Sequence, residues 1–258
     1  MGKKIFVGVL LGLLVMVGSA SAVRTVERVE LRAGDLLIIG HGGFSPETLP
    51  RFRNAPIEIH GGGKISTISG EIPPILNELT FEYDRHGVLD TTGLPVCTKG
   101  KLIATDVPAA RRACGGAIVG KGFGTVIVAL PEQKPLSTST GITLFNGPKK
   151  NGFATVLVHG HLDAPAPSTV VFQVVIEKVH NGIYGYRTEA KIPKLVNGYG
   201  HPVSGFIKIG RQWTFKGKKH SYISARCENG RLQARGKFGF DDGTLLSGTF
   251  LRPCRVLK

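Results

Sequence analysis

Five of the seven asparagines in this chain stand immediately before glycine, at Asn146, Asn151, Asn181, Asn197 and Asn229. Asn-Gly supplies the positive φ angles of a tight hairpin turn, so these pairs cut the chain into short segments that reverse direction. Asp242-Gly243, between Phe240 and Leu245, and Arg85-His86-Gly87, after Tyr83, read as further corners. Between the corners lie short apolar or alternating runs: 79–83, 117–130, 154–158, 169–176, 206–209, 221–227 and 232–240. In the last of these Leu232, Ala234, Phe238 and Phe240 share one face, and Arg235 and Lys237 the other. Helical periodicity is almost absent. One short helix is expected near residues 106–114, opening at Thr105 or Asp106 with Pro108 in its first turn and ending before Gly115. The fold class predicted is all-β and antiparallel.

The first 22 residues have the three parts of a secretory signal: Lys3 and Lys4, an apolar run from Ile5 to Val17, and small residues closing on Ala20-Ser21-Ala22. The run is shorter than the ~20 residues that span a bilayer, and no later stretch reaches that length. Cleavage is expected before Val23, with secretion or a cell-envelope location as the destination. That compartment makes disulfides the default state of Cys97, Cys114, Cys227 and Cys254. Three pairings are possible. Short loops close at the lowest entropic cost, which favours Cys97–Cys114 and Cys227–Cys254. A four-thiolate zinc site lacks the close Cys spacing that such sites use.

Charge is unevenly placed. Residues 23–140 carry 13 Lys+Arg and 12 Asp+Glu, whereas residues 141–258 carry 18 and 6. The change coincides with the Pro- and Ser/Thr-rich stretch 131–141, which reads as a connection between two units. The expected organisation is therefore a near-neutral β domain over 23–135 and a strongly basic one over 142–258, each sandwich-like.

Two groups of residues are candidate sites. His159, His161 and Asp163 alternate along one predicted strand, so two imidazoles and a carboxylate could meet a zinc ion on one face. The plainer reading is a polar strand face running into the Asp163-Ala164-Pro165 turn. Lys208, Arg211, Lys216, Lys218 and Lys219 surround Trp213 and Phe215, and with Arg235 and Lys237 they form a basic set suited to an anionic ligand. The plainer reading there is a hairpin tip kept soluble by lysines. The glycine runs after His41 and His60 lack the Lys-Ser/Thr that closes a phosphate loop, and read as turns. No nucleophile elbow or paired-carboxylate motif is present.

The runs 93–97, 119–122, 145–147, 221–227 and 240–244 resemble those of an uncharacterised family of secreted bacterial β-rich proteins. The resemblance implies export and bacterial origin and brings no activity with it. Together these features predict a non-enzymatic secreted or envelope protein without a cofactor, whose basic second half contacts an anionic polymer or surface. Nucleic acid is not an expected physiological partner. A zinc-dependent hydrolase using the His-x-His-x-Asp face, and a purely structural module, are the alternatives.

Overall fold

The computed structural model describes residues 28–257, so the expected signal peptide and its cleavage point lie outside the described residues. The chain opens with β1 (Arg28–Ala33), β2 (Leu36–Ser45) and the two-residue strands β3 (Thr48–Leu49) and β4 (Ala55–Pro56). Next come β5 (Glu58–Thr67), β6 (Leu76–Asp84), the short β7 (Gly87–Leu89) and the helix α1 (Val107–Cys114). A meander follows: β8 (Ile118–Val128), β9 (Leu136–Lys150), β10 (Phe153–Leu162), β11 (Ser168–Asn181) and β12 (Tyr184–Lys191). β13 (Gly200–Ile209) leads into a small hairpin, β14 (Gln212–Phe215) and β15 (Lys218–Ser221), and then β16 (Ile223–Ala225). The chain closes with β17 (Arg231–Phe240), β18 (Leu245–Pro253) and β19 (Arg255–Val256).

Turn chemistry explains most of these boundaries. Asn151 and Gly152 both take positive φ, 52° and 84°, and turn β9 into β10. Gly182, Gly230 and Gly243 do the same work before β12, β17 and β18, with φ of 60°, 73° and 86°. Asn146-Gly147 departs from the turn expectation and lies inside β9. There the buried Asn146 donates from Nδ2 to the Pro95 carbonyl (3.0 Å), so its amide serves a loop packed over the sheet. β10 stays paired with β9 through this point and on to Lys150, and on the other side, where the β8 ladder stops at Phe145, the Asn146 carbonyl accepts from the Cys97 N–H at 2.9 Å, so a reversal would break both.

Twelve strands form one antiparallel sheet in the order β1-β2-β5-β13-β8-β9-β10-β11-β12-β6-β17-β18. This order corrects the expected division into a 23–135 and a 142–258 domain. β13 lies between β5 and β8, and β6 between β12 and β17, so the two stretches interleave. The Ser/Thr tract read as a connection is strand: Ser137 pairs with Ile127 and Ser139 with Thr125. Threonine suits a half-buried strand, and Val126 and Val128 of β8 supply the apolar face that the tract lacks. The glycine runs after His41 and His60 are strand as well, within β2 and β5.

The inner face of the sheet holds the core. Leu36, Ile38, Ile65, Phe238 and Phe240 fill one part of it, and Val119, Leu144, Val156 and Tyr222 another. The sheet curls until β18 packs on β1 and β2, where the Phe250 ring covers Gly40 and Leu31 lies over Gly248. Outside, Ala110 of α1 and Leu102 of the turn before it cover Phe145 and Leu157 of β9 and β10. Asp106 caps the helix, accepting from the Ala109 N–H at 2.6 Å, and Cys97–Cys114 pins its last turn. Cys227–Cys254 joins a cluster with Phe44, Leu49 and Ile57. Both pairings agree with the loop-entropy argument. Among the described residues no helix is long and apolar enough to cross a membrane.

Candidate functional site

Alternation along β10 turns Thr155, Leu157 and His159 outward, under the segment that leads into α1. His159 is 0% exposed, and its Nε2 lies 3.0 Å from the Thr105 carbonyl oxygen. A carbonyl can only accept, so Nε2 carries the hydrogen and the ring presents a bare Nδ1. Burial lowers the His159 pKa, with His161 and Arg111 adding to the effect, so the ring stays neutral. His161 shares this clasp: its Nδ1 is 3.0 Å from Thr169 Oγ1, which itself donates to the Thr105 carbonyl at 3.0 Å. Asp163 lies past the strand's end, its side chain 88% exposed and 3.6 Å from His161 Nε2. Among the described residues no three His, Cys, Asp or Glu side chains are grouped to hold a metal ion. The alternation put the two histidines on one face, where His159 bonds Thr105 directly and His161 reaches it through Thr169.

The seven basic residues singled out by sequence disperse. Arg211 donates from Nη1 to the carbonyls of Gly116 (2.6 Å) and Ile118 (2.8 Å), and so ties the end of α1 to β13. Arg235 pairs with Glu82 and lies over the Tyr184 ring, 4.9 Å from its centroid. Lys237 is exposed on β17, in a distant part of the sheet. Lys216, Lys218 and Lys219 share the β14–β15 tip. That hairpin is docked: Trp213 Nε1 donates to the Thr92 carbonyl (3.0 Å), and His220 Nδ1 bonds Asp90 (2.7 Å). Lys208 stands apart from the tip, on the outer face of β13, with Glu58 at 2.6 Å.

Around Lys208 the fold assembles a face that the sequence reading missed. Three rows run across β2, β5, β13, β8 and β9. The first contains His60, Lys208, Lys121 and Thr143, each in register with the next, and Arg111 of α1 donates to Thr143 Oγ1 at 3.0 Å. In the second, His41 and Phe206 meet over Gly62 with ring centroids 6.1 Å apart, and Phe123 follows at 5.8 Å. Their planes are near parallel, at 19° and 26°. Phe123 is 54% exposed. The third holds Lys64, Ser204, Thr125 and Ser139, with 3.0 Å between the hydroxyls of the last two. Val107 and Arg111 of α1 bound the face at β9.

A signal for this face was present. Gly120-Lys121-Gly122-Phe123-Gly124 and Gly40-His41-Gly42 alternate glycine with a ring or a cation. On a strand such alternation bares one face and loads the other. At Gly122 the bare face is obligatory, because a Cβ would collide with the Phe206 carbonyl oxygen of the neighbouring strand. No family model matches this chain, no curated protein matches its sequence, and no solved structure matches its fold.

Proposed function

We propose that this protein is an exported, non-catalytic binding protein that holds an anionic polymer against its outer surface. The observation that carries this reading is the placement of Lys121 directly opposite Lys208 on the outer face of β8 and β13. Like charges facing each other across two strands destabilise a sheet. Glu58 offsets Lys208, and a polyanion laid across the row would offset both lysines and convert the cost into affinity. Among the described residues, Lys121 and Lys64 are in none of the ion pairs. The two disulfides suit an oxidising compartment, where wall and matrix polyanions are met.

Retention of the whole mature chain on a sulfated-polysaccharide support tests the reading. Binding should weaken steeply as salt rises past about 0.1 M, where the Debye length is about 10 Å. Lys121→Gln with Lys208→Gln should lower affinity about tenfold, and Lys216→Gln, Lys218→Gln and Lys219→Gln together by much less. Equal loss in both variants would show that bulk charge acts and that the face does not. No retention at low salt would remove the function altogether.

A further inference from the structure

We infer that the polymer on this face is an acidic polysaccharide, lying across the strands from β2 to the wall formed by α1. The inference rests on the anionic-polymer reading above and adds the chemical class of the ligand. Three chemistries are laid side by side: cations at Lys208 and Lys121, rings at His41, Phe206 and Phe123, and hydroxyls at Ser204, Thr125 and Ser139. A chain of carboxylated or sulfated sugar rings offers a matching set, namely acid groups, the apolar C–H faces of the rings, and hydroxyls that both donate and accept.

A bare polyphosphate would use only the cationic row. It would leave the aromatic row and the hydroxyl row unengaged. Strands lie about 4.8 Å apart, so each row repeats at intervals comparable to the advance of one sugar unit along its chain. Gly62 is part of the arrangement, because a side chain there would separate His41 from Phe206. Single-stranded nucleic acid would also use rings and cations. It offers fewer hydroxyls for the third row, in which Ser139 is exposed and Ser204 and Thr125 are half-buried. Glu58 beside Lys208 and Glu30 on β1, in register with Ile39, place acidic groups at the margins of the face.

The test compares three probes on the whole mature chain at one ionic strength: a polyuronate, polyphosphate of matched charge, and a single-stranded oligodeoxynucleotide. The expected result is polyuronate binding at least about tenfold tighter than polyphosphate. Phe123→Ala should remove most of that preference and leave polyphosphate affinity unchanged. Phe123 is an exposed ring of the row, so this variant should keep its fold, checked by an unchanged melting temperature and Trp213 emission. Thr125→Val gives a second arm, weakening polyuronate alone. Equal affinity for polyuronate and polyphosphate, with Phe123→Ala silent, would overturn the polysaccharide assignment and leave the anionic-polymer reading standing. Preference for the oligonucleotide would overturn it in favour of nucleic acid. Binding to none of the three would bring down the reading itself.

Discussion

Glu82 carries an ionised carboxylate at 1% exposure, because its neighbours on both flanking strands are arginines. Arg187 of β12 lies 3.0 Å from Oε1, Asn181 also donates to Oε1 at 3.0 Å, and Arg235 of β17 pairs with Oε2. Burial alone would push this carboxyl up. The hydrogen bonds from Arg235, Arg187 and Asn181 outweigh it and hold the pKa at about 2. An unfolded glutamate titrates near about 4.3, so below that pH the unfolded chain binds a proton that the folded chain refuses. The contribution is therefore present above about pH 4.3 and is lost as pH falls towards about 2. Glu82→Gln should cost about 3 kcal/mol at neutral pH, since it strands two arginines, and should flatten the loss of stability between about pH 4.5 and 2.5. Urea midpoints across that range decide the matter, and parallel pH curves for the two proteins would refute the linkage. Alternation placed Arg235 on the polar face of its strand. That it is committed to Glu82 was not legible, because the two residues are 153 positions apart.

At the scale of elements, the β14–β15 hairpin depends on one glycine. Gly93 has a φ of +70°, and the Phe215 ring sits where its Cβ would be. Gly93→Ala would strain the backbone and displace the ring, costing about 2 kcal/mol, and would loosen a hairpin held by Trp213 and His220. Trp213 is the chain's single tryptophan, so its emission should shift to longer wavelength in the variant. Unchanged emission would mean that the hairpin docks without this contact. Local signals found α1, its cap and its disulfide, because caps, turns and short covalent loops are written in neighbouring residues. They failed at Asn146-Gly147, where a dipeptide that makes hairpins elsewhere in this chain is held extended by β10 on one side and by hydrogen bonds to the Pro95–Cys97 loop on the other.

For the whole molecule, the interleaved order means that neither 23–135 nor 142–258 has its own set of strand neighbours. β8 would lose both partners without residues beyond 135, and β12 would lose β6. Each stretch expressed alone should lack a cooperative melt and dispersed amide resonances, and mixing or co-expression should recover them. Two independently cooperative halves would refute this. The same interleaving dissolves the charge asymmetry seen along the chain, since the candidate face draws His41, His60, Lys64, Lys121 and Phe123 from the near-neutral stretch and Phe206 and Lys208 from the basic one. By itself the sequence determined the all-β class, most of the turns, the helix at Val107–Cys114 and both disulfide pairings. Each of these depends on φ preferences, capping or loop entropy within about 30 residues. Only the tertiary structure decided the strand order, and with it the three-row face and the clasp of His159 on Thr105. Strand pairing is made by backbone N–H and C=O groups that every residue carries, so which strands become neighbours is settled by how all the apolar faces close around one core.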